Sequence, residues 1–281
     1  MKLLAIDTAL EACSVAVAAG DGKQSIVVSE IVGRGHAERL FGMIEAAMAE
    51  AGLAFADLDR IAVTVGPGSF TGLRVGIAAA RGLALVVKCP VVGLGTLAVH
   101  AEAARAVAGP VPVLALLDAR RDELYGQRFS SDGTSAGAAE VGSAAHFAAV
   151  VERGDVLAGS GADQVAAVLP EGITAPIVHR ASAPDMHALL RLALRAPVSG
   201  ASPRPLYLRP PDAKPQAEKR IATKRRGRPE AGPGTETKRR EAPSGATGKK
   251  DKRRGRPEAG PGTETKRRGA PSGATGKETD R

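Results

Sequence analysis

The chain has 281 residues, two cysteines and a formal net charge of +9, and this charge is unevenly distributed. Residues 1–213 carry 18 Lys and Arg against 21 Asp and Glu, a net charge of −3, whereas residues 214–281 carry 21 against 9, a net charge of +12. The composition therefore excludes a disulfide scaffold, and it excludes a body that attracts nucleic acid through its overall charge.

The N-terminal stretch lacks the pattern of a signal peptide, because Asp7 and Glu11 interrupt its apolar run. No apolar segment approaches the length of a membrane span, and LALVVKCPVVGL is broken by Lys88 and Pro90. Together with the low cysteine content, this predicts a cytoplasmic protein without membrane association.

The first hundred residues predict a mixed sheet with helices packed on it. Apolar runs rich in β-branched residues at 3–8, 13–19 and 25–30 stand at hairpin spacing, which is typical of an antiparallel meander. A helix over 36–51 follows from the helical spacing of its apolar residues, and Gly52 then occupies the place of a C′ glycine. The order β-β-β-α-β-α-β-α is completed by a strand at 60–65, a helix at 71–87, a strand at 91–94 and a helix at 96–108 capped by Thr96.

A second set of elements begins at Pro110. We predict strands over 110–117 and 124–130, then a weaker αβα pattern that ends in a helix over 185–195. The proline-rich run at 203–215 marks the predicted end of folded structure.

The basic tail is a tandem repeat with a period of 28 residues. KRRGRPEAGPGTETKRREAPSGATGK at 224–249 recurs at 252–277 with one difference, Glu241 against Gly269. The repeat has no periodic apolar face, so a solenoid is excluded and disorder is predicted for 213–281.

The glycine-rich stretch GPGSFTGLRVG at 66–76 precedes a helix and invites comparison with phosphate-binding loops. It lacks the Gly-Lys-Ser/Thr of a Walker loop, and a G-x-G-x-x-G pattern would need glycine where Thr71 stands. Small residues along the helix instead favour close approach of another backbone, from this chain's own sheet or from another subunit. These small residues are Gly72, Gly76, Ala79, Ala80 and Gly82.

Six motifs follow one another over about residues 1–213: IDTALEACSVAV, GHAERL, VGPGSFTGLRVGIAAARGLAL, TLAVHA, LDARRDELYGQRF and PLYLRPPDAK. In this order they resemble the bacterial TsaB (YeaZ) family. The resemblance implies an α/β fold of the actin-like ATPase superfamily (ASKHA, ribonuclease H-like), with two related βββαβαβα-type domains at 1–108 and 109–212 and the tail at 213–281. It also implies a non-catalytic subunit that partners the TsaD threonylcarbamoyltransferase in forming N6-threonylcarbamoyladenosine beside the anticodon of tRNAs reading codons that begin with A.

The resemblance places a vestigial phosphate or metal site at Asp7 and Thr8, where the superfamily holds a metal–phosphate group. A lone aspartate at a strand end is more commonly a turn-capping residue. Catalytic relatives carry an H-x-x-x-H pair, of which His100 matches the second histidine while Thr96 stands in place of the first. We therefore expect no catalytic residue and no bound metal in this chain.

The predicted partner interface combines the helix over 36–51 with the helix over 71–87. The partner is a TsaD-like subunit, or a second copy of this chain when that subunit is absent. A TsaE-like ATPase and tRNA would be reached through the complex, and no cofactor is expected unless ATP or ADP binds at or near the interface. The interface residues are Leu40, Met43, Ile44, Met48, Gly72, Gly76, Ala79 and Ala80.

Two alternatives remain at the level of sequence. One is an independent ATPase or metallopeptidase of the same superfamily, and the other is a protein that binds nucleic acid through its tail. The tail contains two Arg-Gly-Arg-Pro segments similar to the AT-hook core, which lies in a narrow minor groove. The nucleic-acid contacts would be Arg226, Arg228, Arg254 and Arg256.

Two polar segments have simple structural explanations. DARRDE at 118–123 places two arginines between carboxylates, which suits an anion clamp or a solvated loop, and the loop is favoured. GSGAD at 159–163 is interpreted as a turn before a helix.

Overall fold

The computed structural model describes residues 1–20, 24–33, 35–198 and 200–209. The chain divides into two compact units, 1–218 and 219–281, and the second lies outside the described residues, as does the whole of the predicted tail. The predicted domain boundaries at 108 and 212 stay predictions.

The first half of the described chain forms a five-stranded mixed sheet. Its strand order is β3-β2-β1-β4-β5, with β1 antiparallel to β2 and parallel to β4. The predicted order β-β-β-α-β-α-β-α is confirmed, with a short 3-10 turn at Phe55–Asp57 added. The elements are β1 (Leu3–Asp7), β2 (Ala12–Ala19), β3 (Gln24–Ile31), α1 (His36–Glu50), β4 (Arg60–Gly66), α2 (Phe70–Val87), β5 (Val91–Gly95) and α3 (Thr96–Ala108).

The second half repeats this topology. Its strand order, β8-β7-β6-β9-β10, matches that of the first sheet strand for strand, so the predicted fold of two related βββαβαβα units is confirmed. Its outer helices are shorter, since α4 and α5 have five residues each where α1 and α2 have 15 and 18. The elements are β6 (Val113–Asp118), β7 (Leu124–Phe129), β8 (Glu140–Gly142), α4 (Ala144–Ala148), β9 (Val156–Ala158), α5 (Ala162–Ala166), β10 (Ile177–His179) and α6 (Met186–Arg195).

The last helix of each half packs on the sheet of the other half. Leu97 and Ala101 of α3 lie in one cluster with Leu117 of β6, while Leu189 of α6 lies with Leu3 of β1. The two helices are also joined by charge, because the buried Glu102 of α3 pairs with arginines of α6 at 3.0 and 2.8 Å. Because α3 packs on the second sheet and α6 on the first, the hydrophobic cores of the two halves are continuous across these helices.

The backbone conformation tests two predicted helix caps, one at the end of α1 and one at the start of α3. Gly52 has φ +64 directly after the C-cap of α1, which confirms its role as a C′ glycine. The prediction that Thr96 caps α3 is wrong: Gly95 is the N-cap, and Thr96 is the first helical residue, with a buried hydroxyl that has no hydrogen-bond partner among the described residues.

One helix in the described part of the chain, α2, is long and apolar enough to cross a membrane by length and composition. The sequence prediction that no segment approaches that length therefore needs correction. The core helix of a soluble protein passes the same test, and Leu73, Ile77 and Ala80 of α2 pack against the first sheet.

Candidate functional site

The glycine-rich segment before and within α2 packs on the turn between β1 and β2. A Cβ atom at Gly68 would overlap the carbonyl oxygen of Ala9, and a Cβ at Gly72 would overlap that of Thr8. A Cβ at Gly76 would overlap the Thr8 hydroxyl, which donates to the Gly72 carbonyl at 2.8 Å. The close approach predicted from these small residues is therefore made by the chain's own backbone.

Asp7 is the last residue of β1 and lies directly before this turn. Its side chain is fully buried, and its Oδ1 accepts hydrogen bonds from the Thr64 hydroxyl at 2.6 Å and from the Ala9 backbone N–H at 3.2 Å. Its Oδ2 has no partner among the described residues, and burial raises the pKa of the carboxyl from 3.8 to about 6. Thr8 is buried beside it.

The residues at this position do not fit a metal–phosphate group. An ion would have to reach a carboxylate that has no exposed surface, and burial favours the neutral form of that carboxylate. Among the described residues, no group of three His, Cys, Asp or Glu side chains is placed to hold a metal ion.

The second half carries a counterpart of Asp7 at the end of β6. Asp118 Oδ1 accepts the backbone N–H of Arg120 at 2.7 Å, as Asp7 accepts that of Ala9 two residues on. Asp118 differs in being exposed, and it lines a cleft of about 670 Å³ between the two halves. In the sequence, Asp118 was considered only as part of the DARRDE segment. Its position at the end of the first strand of the second half could have identified it as the counterpart of Asp7.

The loop after Asp118 is the predicted DARRDE segment. Arg120, Arg121 and Asp122 all adopt left-handed backbone conformations, with φ near +60. The guanidinium of Arg209 donates to the Ala119 carbonyl at 3.0 Å and pairs with Glu123, so the segment 200–209 of the same chain holds this loop. The DARRDE segment is therefore a strand-end loop, while an anion clamp at its arginines stays a prediction.

The GSGAD segment is the predicted turn. Gly159 has φ +96, and a Cβ there would overlap the Leu116 carbonyl oxygen, so the turn packs tightly on the end of β6.

The structure corrects the predicted partner interface. All eight residues assigned to it are buried in this chain, because the apolar faces of α1 and α2 pack against the chain's own first sheet. They therefore contribute to the core and are not available to a partner at the surface. The eight are Leu40, Met43, Ile44, Met48, Gly72, Gly76, Ala79 and Ala80.

The opposite faces of α1 and α2 are exposed and carry apolar and small residues. Leu85 and Val86 of α2 are each 80% exposed, and Phe41 of α1 is also exposed. Gly42 and Gly82 lie on these faces, and an added Cβ at either would have no described atom within 4 Å, so packing among the described residues does not require glycine there. We call these five residues the α1–α2 face.

Two histidines that are far apart in sequence meet in the interior. The rings of His100 on α3 and His179 on β10 lie 5.4 Å apart, and neither nitrogen of His100 has a hydrogen-bond partner in the described part of the chain. Burial lowers the pKa of His100 from 6.5 to about 3, with a smaller contribution from His179. The pair is thus neutral and structural at neutral pH.

The four tail arginines named as nucleic-acid contacts, Arg226, Arg228, Arg254 and Arg256, lie outside the described residues.

Comparison with known proteins gives consistent matches. The family model for tRNA N6-adenosine threonylcarbamoyltransferase (TsaD) matches residues 23–175. The tRNA threonylcarbamoyladenosine biosynthesis protein TsaB of Escherichia coli is 41% identical over 132 residues, which are 47% of this chain and 56% of that protein. The matched part spans about half the length of such curated TsaB relatives.

Two further relatives are covered almost completely. An uncharacterised protein of Mycobacterium tuberculosis is 39% identical over 223 residues, 76% of this chain and 95% of that protein. The solved structure of YeaZ from Pseudomonas aeruginosa is 32% identical, with a TM-score of 0.63 over 74% of this chain and 99% of that chain. The sequence motifs, the duplicated fold and these matches agree: the chain belongs to the TsaB (YeaZ) family.

Proposed function

We propose that this chain is a non-catalytic subunit in the formation of N6-threonylcarbamoyladenosine in tRNA, and that it acts by binding a TsaD-type transferase. Family membership supports the pathway, because the relatives that carry a functional name are tRNA threonylcarbamoyladenosine biosynthesis proteins TsaB or tRNA N6-adenosine threonylcarbamoyltransferases. The catalytic centre and its substrate would then lie in the partner.

The main support for a docking role is the presence of two glycines on the α1–α2 face that no contact among the described residues explains. Gly42 and Gly82 each lie inside a helix, where glycine costs about 1 kcal/mol relative to alanine. No packing among the described residues offsets that cost. A partner helix packed closely over these positions would offset it, and the exposed Leu85, Val86 and Phe41 beside them would lose their water on binding.

The identity of the partner is supported by the shared fold. The transferase family model matches a stretch of this chain that includes both α1 and α2. Two related chains can therefore pack the same helix pair against each other about a pseudo-twofold axis. The same geometry would allow a second copy of this chain to occupy the face when the transferase is absent.

The burial of Asp7 supports a role without catalysis. An independent ATPase or metallopeptidase needs an accessible metal–phosphate or metal–water site. Asp7 is fully buried, and among the described residues it belongs to no group of three His, Cys, Asp or Glu side chains placed to hold a metal ion. We infer that the chain has no resident cofactor. A TsaE-like ATPase and tRNA would reach it through the complex in the cytoplasm.

The test is calorimetric titration of a purified TsaD-type transferase with this chain. Gly82→Leu and Leu85→Glu should weaken binding by about ten- to a hundredfold or more, because each disturbs the centre of the α1–α2 face without touching the core. Val107→Glu is the matched control, since Val107 is 74% exposed on α3 and outside the α1–α2 face. A substitution at Ala80 would not serve, because Ala80 is fully buried and its replacement would disturb the core.

Reconstituted tRNA modification completes the test. The partner proteins should form threonylcarbamoyladenosine with the wild-type chain and with Val107→Glu, and poorly with Leu85→Glu. Titration with ATP and ADP in the same calorimeter tests nucleotide binding at or near the interface. Equal transferase affinity of all variants, or turnover of ATP or peptide by the isolated chain, would reject the proposal.

A further inference from the structure

A small aromatic platform stands at the mouth of the cleft between the two halves. The guanidinium carbon of Arg74 lies 3.7 Å from the ring centroid of Phe70, and the rings of Phe70 and Tyr207 are 5.0 Å apart. Arg74 Nε also donates to the Tyr207 hydroxyl at 3.0 Å. Tyr207 is 39% exposed, and we call these three residues the aromatic rim.

This group combines two aromatic rings and an arginine in one stack. The sequence holds only seven aromatic residues of the Phe, Tyr and Trp types, and two of them are stacked here with an arginine at the surface. An aromatic pair of this kind normally contributes to a core or to an interface. Here it lines the cleft that also contains Asp118 and Arg120.

The aromatic rim is held rigidly before any ligand binds. Tyr207 belongs to the segment 203–209, which crosses from the first half to the second: the Leu206 N–H donates to the Val65 carbonyl at 2.7 Å, and Arg209 holds the Ala119 carbonyl. Phe70 and Arg74 lie in the first turns of α2. A preorganised platform loses little side-chain freedom on binding.

The lining of the cleft also includes the cationic side chain of Arg120. The Arg120 side chain is 83% exposed, and its ion pair with the exposed Glu11 at 3.8 Å is of the weak surface type that a stronger anion can replace. The cleft, at about 670 Å³, is large enough for one or two nucleotides. Its walls thus combine a stacking surface with a group that binds phosphate.

We propose that the aromatic rim and Arg120 form a contact surface for unpaired nucleotides of an RNA loop. Unpaired bases are recognised by stacking on aromatic and guanidinium planes, and their phosphates by arginine. This inference rests on the proposed function for the choice of RNA, because the tRNA site of that modification lies beside the anticodon.

The tail sequence supports a polyanionic partner independently of the rim. Residues 214–281 carry a net charge of +12, and Lys-Arg-Arg triplets recur every 14 residues. Neutralising RNA phosphates with these cations would release counterions and supply affinity that does not depend on sequence or pairing. The four triplets are at 224–226, 238–240, 252–254 and 266–268.

The test measures binding of fluorescein-labelled RNA to the full chain by anisotropy, over a range of salt concentrations. Two probes are compared, a short hairpin with an unpaired loop and a fully paired duplex. Tyr207→Ala should weaken binding of the loop hairpin by roughly 5- to 150-fold, the contribution of one stacked base, and leave the duplex within about twofold. Tyr207→Phe keeps the ring and should bind both probes as the wild type does.

Two charge variants separate the arginine from the tail. Arg120→Ala should weaken loop binding, whereas Arg153→Ala, which removes an exposed arginine outside the lining of the cleft, should not. Replacing all four triplets by glutamine in the full chain should weaken both probes and lower the salt slope by about 0.7 for each RNA phosphate that the tail no longer neutralises.

Several results would overturn the inference. They are loop binding unchanged by Tyr207→Ala, equal weakening for loop and duplex, tighter binding of the same hairpin made of DNA, and displacement of the hairpin by ATP as efficient as by unlabelled RNA. Unfolding midpoints confirm that each variant is folded. Transferase binding is measured in parallel on the wild type and on Tyr207→Ala. If the wild-type chain binds RNA but no transferase, the proposed function is refuted and the RNA-loop surface is not.

Discussion

Replacing Asp7 by asparagine tests whether this carboxylate is structural or a working ligand. Its Oδ1 accepts two hydrogen bonds, from Thr64 and Ala9, and its Oδ2 has no partner among the described residues. Asparagine has nearly the same shape, and its oxygen can accept the same two bonds. The substitution therefore removes the charge and changes little else.

The sign of the effect follows from the pKa of the carboxyl, which burial raises from 3.8 to about 6. The folded state then holds a proton that the unfolded state has released between about pH 3.8 and pH 6. The free energy of unfolding therefore decreases as the pH rises through that window and is level above it. At 1.36 kcal/mol per pH unit, the ionised carboxylate costs the folded state about 3 kcal/mol at neutral pH.

Asp7→Asn avoids this cost but places an amide N–H₂ group where Oδ2 has no partner, at a penalty of about 1 kcal/mol or more. We expect the variant to be more stable than the wild type by about 1–2 kcal/mol at neutral pH and less stable than it by about 1 kcal/mol at pH values close to 4, where only the amide penalty is left. Urea unfolding followed by far-ultraviolet circular dichroism suits a chain without tryptophan. The difference between the two proteins, taken at each pH, cancels the other titrating groups.

Two outcomes would refute this reasoning. If Asp7→Asn were less stable at neutral pH, or differed by an amount independent of pH, the carboxylate would be ionised and paired in the folded state. If the variant bound the transferase normally but failed to support tRNA modification, Asp7 would act in the chemistry and the non-catalytic role would be wrong.

The remaining predictions concern the buried histidine and the glycines. His100 has its pKa lowered to about 3, so wild-type stability should be lost as the pH falls below 6.5, and His100→Leu should be increasingly more stable than the wild type toward acid in the same urea assay. A stability difference that does not grow below pH 6.5 would contradict this. Gly72→Ala should destabilise the protein by about 2 kcal/mol or more because its Cβ meets the Thr8 backbone, whereas Gly82→Ala should stabilise it by up to about 1 kcal/mol. Equal thermal unfolding midpoints for these two variants would disprove the packing assigned to them.

The sequence predicted the first half of the fold well because its signals are local. The apolar spacing in α1 and the small residues of α2 are strong over 15 and 18 residues. The three-residue β8 and the five-residue α4 were given no bounds from the sequence, since such short elements carry almost no periodicity and are stabilised by the sheet around them.

The interface was misassigned for a different reason. A stripe such as Leu40, Met43 and Ile44 shows that one side of a helix is buried, and the pattern is the same whether a sheet or another subunit covers it. The informative residues were those off the stripe, Gly42 and Gly82, which have no reason to be glycine in an isolated helix. The meeting of His100 with His179 had no sequence signal, because only the tertiary fold brings α3 to β10.

The duplication of the fold bears on the position of the proposed docking surface. Both halves keep the same five-strand order and the same aspartate hydrogen bond at the end of the first strand. They differ in their outer helices, which are long only in the first half. The second half shows that this topology folds with outer helices of five residues, so the length of α1 and α2 exceeds what the sheet requires. This additional helical surface exposes Phe41, Leu85 and Val86 to solvent. The proposed partner would cover it and so account for both the length of the helices and the exposure of these side chains.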